Sequence, residues 1–229
     1  MEINQLAIAA SINPQLSNVV TQILDGFVVY TDSGHGFLTS GKRSNDGSLR
    51  ENEVNTAIED KLCLLCQLHG VEYRQLSPEW DDTSPNERIR REAAFKTEDT
   101  ARGLIPFGIS IHANAYRDVN AKGTEIFHYA GSKYGTLLAE SVFDAVLNSY
   151  KINGFDIPNR GIKTANFFMV KRTSAPWVLW EVAFMTNEKE LRYLKNDSFR
   201  NACALALFQG IINYAIAYRK LNNIVIDLT

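Results

Sequence analysis

Apolar residues recur along this chain in two rhythms. Short β-branched or aromatic runs closed by turn residues, such as Phe27-Val28-Val29-Tyr30, read as buried strands. Apolar positions three and four apart read as helices that bury one face. The first rhythm predicts strands near 27–32, 71–76, 107–112, 123–129, 166–171 and 177–183. The second predicts a helix over 51–69, where Val54, Ile58, Leu62 and Leu65 line up before the stop at Gly70. Further helices fall near 86–99 and over 132–150, the latter with Leu137, Leu138, Val142, Val146 and Leu147 on one face. After Asn153-Gly154 an irregular polar segment precedes the strand at 166–171, and a last helical region, 189–220, breaks near Asn196-Asp197. Alternation of this kind implies a single α/β domain: a mainly parallel twisted sheet with helices on both faces.

Residues 1–26 form an N-terminal extension, with a helix starting after Asn13 and Pro14 in its first turn, expected to cover a sheet edge. The domain proper runs over 27–220, and 221–229 is a tail with strand-like residues. No repeat, low-complexity tract or Pro/Gly/Ser linker divides the chain.

Chemistry enters where the strands end. Tyr30-Thr31-Asp32-Ser33-Gly34-His35-Gly36 puts a histidine between two glycines at a strand tip, where the backbone can turn and a partner can approach closely. Asp32 is placed to accept a proton from that imidazole and fix its tautomer, as acids beside metal-bound histidines do. His112 likewise closes the run Phe107-Gly108-Ile109-Ser110-Ile111. Glu51 opens the helix at 51–69, a position that macrodipole compensation alone would explain. Glu181 interrupts the apolar run Trp177 to Met185, where a charge is costly unless paired or bound to a metal. Two histidines and one glutamate make a three-ligand zinc set with a fourth position left for water, and a second glutamate remains as general base. Glu53, two residues from Glu51 on the helix, is expected to face solvent.

Six segments in this order resemble the zinc-dependent N-acetylmuramoyl-L-alanine amidases of sporulation, cell division and phage lysis. They are Asp32-Ser33-Gly34-His35-Gly36, Glu51-Asn52-Glu53-Val54-Asn55, Ser110-Ile111-His112-Ala113-Asn114-Ala115, Gly123-Thr124-Glu125, Asn159-Arg160-Gly161-Ile162-Lys163 and Glu181-Val182-Ala183-Phe184-Met185-Thr186-Asn187. The resemblance covers roughly Phe27 to Ala217. It implies His35, Glu51 and His112 as ligands of one Zn2+, Glu181 as the catalytic base, and peptidoglycan as the substrate. The bond cut would be the amide between N-acetylmuramic acid and the L-alanine of the stem peptide. Asn114 and Glu125 are expected near the substrate, and Arg160 and Lys163 where stem-peptide carboxylates dock. The chain departs from the family at Phe37, often a second glycine, at Trp180, usually aliphatic, and in the segment from Asn86 to Ala94, which keeps the family's Glu-Arg but lacks the asparagine often seen after the alanine; none of these removes a ligand.

Composition narrows the alternatives. A chain of 229 residues with 45% hydrophobic content can bury a sizeable core. A net charge of −2 argues against nucleic acid, since no basic surplus neutralises phosphates. Cys63 and Cys66 lie one turn apart among leucines and are expected to be buried free thiols. His69 and His128 are expected at the surface. No run of about 18 apolar residues marks a membrane span, and Met1-Glu2-Ile3-Asn4 lacks the basic start of an export signal. A phage or prophage endolysin, made in the cytoplasm and released at lysis, suits that reading. The segment between Glu125 and Glu181 has room for one helix and a strand, with no helix to plug the site. A zinc peptidase acting within the stem peptide and a non-catalytic wall-binding relative are the alternatives; the four intact residues weigh against the second.

Overall fold

In the computed structural model, which describes residues 14–225, the strands are β1 (Phe27–Ser33), β2 (Glu72–Gln75), β3 (Ile105–Asn114), β4 (Thr124–His128), β5 (Asn159–Thr164) and β6 (Trp177–Phe184). The helices are α1 (Pro14–Leu24), α2 (Glu51–Leu68), α3 (Pro85–Ala101), α4 (Lys133–Ile152), α5 (Phe168–Arg172), α6 (Glu188–Lys195) and α7 (Asp197–Leu221). Expectations for residues 1–13 and 226–229 lie outside the described residues.

The strands form one sheet in the order β2-β1-β3-β6-β4-β5. All neighbours run parallel except β4 and β6, which are antiparallel. Central strands are apolar on both faces because helices cover both. One face, with Phe27, Val29, Phe107, Ile109, Ile111, Val178, Trp180 and Val182, packs with α1, α2, α4 and α7 into the main core. The other, with Val28, Tyr30, Trp177 and Leu179, packs with Met169 and Val170 of α5 and, from α3, Ile89 and Phe95. Strand alternation then sends Asp32, His112 and Glu181 out on the second face.

Helix boundaries follow their caps. Ser84 accepts from the Glu87 N–H with Pro85 in the first turn of α3. Asn196 ends α6, and its side chain accepts from the N–H groups of Ser198 and Phe199 to open α7, which is the break expected at 196–197. Helix α7 is long and apolar enough to cross a membrane, but most of it is buried inside this protein.

Two expectations fail here. The strand lies at Asn159–Thr164, and much of the run read as a strand at 166–171 is the short helix α5. β5 is an edge strand bonded only to β4, so backbone pairing rather than apolar burial defines it, and its side chains stay largely exposed. In α5 the consecutive residues Met169 and Val170 are the buried pair, a pattern that suits a helix face and not a strand. His69 and His128 are buried, at 4% and 8% exposure. α1 folds over the end of α2, where Ser17 Oγ lies 2.9 Å from His69 Nδ1 and Thr21 Oγ1 donates to the His69 carbonyl at 2.9 Å. The three cysteines are buried and free.

Beneath the end of β1, Glu59 of α2 is 1% exposed and its Oε1 has no hydrogen-bond partner. Burial, with Asp32 nearby, pushes this carboxyl up to about 7, against the pull of Thr31 and Gln75. Between its ordinary 4.5 and about 7 the native protein holds a proton that the unfolded chain has lost. Stability should therefore fall as pH rises through that window and level off above it. The loss is on the order of 3 kcal/mol at 1.36 kcal/mol per unit. Glu59→Gln should raise the melting temperature at pH 8 and flatten its pH dependence; a Gln variant with the parent's pH profile would refute this.

Candidate active site

The site is built where three segments meet at the carboxyl ends of β1 and β3. After Ser33 the chain turns through Gly34-His35-Gly36, and His35 itself takes the left-handed conformation, with φ 64°. The glycines serve close approach. A Cβ on Gly34 would lie 2.2 Å from His112 Cε1, and one on Gly36 would lie 2.3 Å from the Asp82 nitrogen. The first turn of α2 holds the loop: Asn52 Nδ2 donates to the His35 carbonyl at 2.9 Å and Asn55 Nδ2 to that of Gly34 at 3.0 Å. Glu51 is presented by the same turn.

Glu51 Oε1 lies 3.0 Å from His112 Nδ1 and accepts from the Ala113 N–H at 3.3 Å, while Oε2 lies 3.6 Å from His35 Nε2. The two imidazoles stand edge to face with centroids 5.2 Å apart. One donor atom from each of His35, Glu51 and His112 falls within 4.8 Å of the others. Lys42 Nζ approaches Glu51 Oε2 to 3.7 Å, a neighbour that sequence reasoning missed. Glu181 sits beside His112 in the β3–β6 register and opposite Glu125 in the β6–β4 register. It is mid-strand rather than at a strand end, because β6 continues to Phe184.

Electrostatics fit a cation. Burial pushes the His35 imidazole down to about 4, so it is neutral with a lone pair available. Burial works against charge on Glu51, yet its bond to His112, with His35 and Lys42 nearby, holds the carboxyl below the usual range. Burial also lowers His112, but Glu51, with Glu181 and Asp32, carries the imidazole above its ordinary value. The carboxylates around His112 thus present the negative charge that a metal would answer. Glu181 is pushed up to about 7 by burial, opposed by His112 and reinforced by Glu51 and Glu125. Its Oε2 is buried with no hydrogen-bond partner among the described residues.

These groups open on a cavity of about 320 Å³ lined by His35, Lys42, Asp82, His112 and Glu181 on its polar side and by Phe167, Phe168, Met169 and Leu179 on its apolar side. Between Glu125 and Glu181 the sequence predicts one helix and a strand; the structure adds the short helix α5, which borders the site. It forms a wall beside the cavity.

Asp32 does not orient His35. In phase with Val28 and Tyr30, it faces α3, where it accepts from Arg88 Nη1, from Ser110 Oγ at 2.7 Å and from Ser77 Oγ at 3.3 Å. Glu53 faces solvent as expected and accepts from the Arg50 N–H at 2.7 Å. Asn114 Nδ2 donates to Glu125 Oε1 at 2.8 Å. Glu125 Oε2 pairs with Lys163 and, at 3.1 Å, with Arg160 Nε. The two basic residues thus sit on β5 and not in an irregular loop. The spacing Glu51-Asn52-Asn55, which puts three polar residues of the first turn toward β1, was the signal for the loop-holding asparagines. Arg88 stood out only as part of a Glu-Arg pair shared with the family, and Lys42 carried no signal.

Residues 29–213 match the N-acetylmuramoyl-L-alanine amidase family, and the chain belongs to it. It is 27% identical over 213 residues to the N-acetylmuramoyl-L-alanine amidase LytC of Bacillus subtilis, covering 92% of this chain and 39% of LytC. It is 27% identical to the endolysin of Bacillus phage SPP1, covering 80% of this chain and 64% of that protein. Among solved structures, N-acetylmuramoyl-L-alanine amidase AmiC2 of Nostoc punctiforme superposes with a TM-score of 0.70 at 25% identity, over 85% of this chain and 98% of that one. The chain therefore spans less than two thirds of the length of either LytC or the endolysin.

Proposed function

We propose that this protein hydrolyses the amide between N-acetylmuramic acid and the L-alanine of the peptidoglycan stem peptide, using one zinc ion held by His35, Glu51 and His112. The observation that carries the reading is the convergence of those three donor atoms beside an unpartnered buried carboxylate, Glu181. Two imidazoles and a carboxylate suit zinc, and three protein ligands are the catalytic rather than the structural number. When bound there, zinc supplies Lewis acidity that polarises a carbonyl and acidifies water.

The chain supplies the rest. Glu181 takes the proton of the attacking water and returns it to the leaving amine, a role that a carboxyl poised near 7 fills in both directions. Asn114 of β3 and Glu125 of β4, joined by a hydrogen bond, would meet the substrate beside Glu181, and Arg160 and Lys163 share the Glu125 carboxylate between two cations. That leaves a positive surplus facing the carboxylates of the stem peptide. The SPP1 relative supports a phage or prophage endolysin as the setting.

The test is product analysis. Isolated peptidoglycan given the purified protein and zinc should clear without a second protein and release intact stem peptides by mass spectrometry. Shortened peptides would identify a peptidase, and an unchanged wall would reject both. Metal analysis should find about one zinc per chain and nearly none in His112→Ala; a variant that kept its zinc would overturn the ligand set.

A further inference from the structure

The loop after His35 carries a second feature that neither the metal site nor the reaction uses. The ring of Phe37 stacks on Trp80 with centroids 4.1 Å apart and planes at 28°. Its other face is left to the Arg50 guanidinium, 4.6 Å from the centroid. Backbone bonds fix this three-layer stack. The Phe37 N–H donates to the Trp80 carbonyl at 3.1 Å, and Arg50 Nη1 donates to the Phe37 carbonyl at 2.9 Å. Gly36 lies so close to the Asp81 and Asp82 backbone that a Cβ would not fit between them, so the 80–82 segment and the His35 loop pack directly together.

Yet Trp80, the end of the stack, is 65% exposed. A clamp between two loops needs one face of the indole and gains by burying the other; here the outer face stays open, with exposed Asp81 and Asp82 at its rim. Asp82 also lines the cavity that holds His35, His112 and Glu181, so the platform runs into the candidate site.

We propose that the outer face of Trp80 is a subsite for a pyranose ring of the glycan strand, a reading that rests on peptidoglycan being the substrate. A sugar has an apolar C–H face that covers an indole and hydroxyl edges that carboxylates accept from. Position favours the glycan over the peptide. Glu79 is paired with Arg91 and Asp82 with Arg88, which leaves Asp81 as the lip's unpaired carboxylate among the described residues, an acceptor for sugar hydroxyls. The basic pair Arg160 and Lys163 stands on β5, at the opposite end of the sheet from β2, after which Trp80 comes. The groove is thus polar in direction: glycan over Trp80, metal in the middle, peptide toward β5.

Fluorescence isolates the residue, because Trp177 and Trp180 are 2% and 0% exposed and Trp80 alone is open to iodide. Neutral oligomers of N-acetylglucosamine, which present the pyranose face without the free lactyl carboxylates of peptide-stripped strands, should saturably protect the protein from iodide quenching. By calorimetry their affinity should fall about tenfold in Trp80→Ala, the equivalent of one lost ring contact, and recover in Trp80→Tyr. Phe37→Gly, which keeps the indole but removes its support, should weaken the protection. Unchanged quenching in the presence of glycan, equal affinity in Trp80→Ala, or protection by free stem peptide alone would each overturn the proposal. If Trp80→Ala fails to fold, the quenching of the parent protein decides. The probe contains no amide to be cut at the site, so glycan protection in a protein that hydrolyses nothing would sink the amidase reading and leave this one standing.

Discussion

Glu181→Gln is expected to bind zinc as the parent does, keep its fold, and lose hydrolysis by about 10²–10⁴-fold, the usual weight of a general base. The substitution is nearly isosteric and removes the one property at issue, the capacity to hold a proton. The fold should survive because Glu181 Oε2 has no hydrogen-bond partner to lose. Zinc should stay because Glu181 lies outside the group formed by His35, Glu51 and His112. Stability sharpens the test. Burial pushes this carboxyl up to about 7, so at pH 8 the metal-free parent keeps a charge there at a cost. The metal-free variant should melt at an equal or higher temperature at that pH. A gain in stability with a loss of turnover is the behaviour of a residue retained for chemistry. Rates on soluble muropeptide, zinc content and melting curves measured side by side check the three parts, and a variant with half the parent's activity would reject Glu181 as the base.

How much of this was legible in the sequence depends on how each residue is held. Strands buried on both faces announce themselves, and β1, β3 and β6 fall within two or three residues of their predicted bounds. Edge strand β5 was missed because its pairing is made by backbone, which side-chain patterning does not report. His35, Glu51 and His112, which the structure brings together, could be singled out because each sits at the end of a regular element, whose direction the pattern does give. Asp32 was assigned to the wrong partner for a related reason. Strand alternation put it in phase with Val28 and Tyr30, toward the α3 face, and Arg88, which claims it, lies 56 residues away. Pairing across that distance belongs to the packing of α3 on the sheet. Lys42, beside Glu51, was invisible for the same reason: it lies in a loop whose course is fixed by the fold around it.

The pair Arg88 and Asp32 should also carry the largest stability effect. Arg88 is 4% exposed and Asp32 1%. Besides Asp32, the guanidinium donates to the Ser33 carbonyl at 2.7 Å and, from Nε, to the Thr83 carbonyl at 2.8 Å. Asp32 in turn accepts from Ser110 Oγ, which accepts from Trp177 Nε1 at 2.9 Å. The network thus ties α3 to β1, β3 and β6 directly under the His35 loop. Arg88→Met keeps the apolar stem but strands a carboxylate and a strand-end carbonyl away from water. Breaking a buried pair from one side costs about 3–5 kcal/mol, which in a chain of this size lowers the melting temperature by roughly 10 °C or more. Arg88→Lys should recover only part of the loss, because an ammonium cannot reach three acceptors in the fork geometry of a guanidinium. Adding Asp32→Asn to Arg88→Met should cost less than the sum of the two single changes, since the second removes the charge that the first left exposed to the core. Zinc affinity should fall with stability in the single variant, because the carbonyl of Ser33 is one of the fixed points that set the course of the chain into His35. Urea unfolding of the metal-free proteins measures the first effect and competition with a chelator the second. A loss under about 1 kcal/mol in Arg88→Met, the range of an exposed pair, would show that the network does not hold the end of β1.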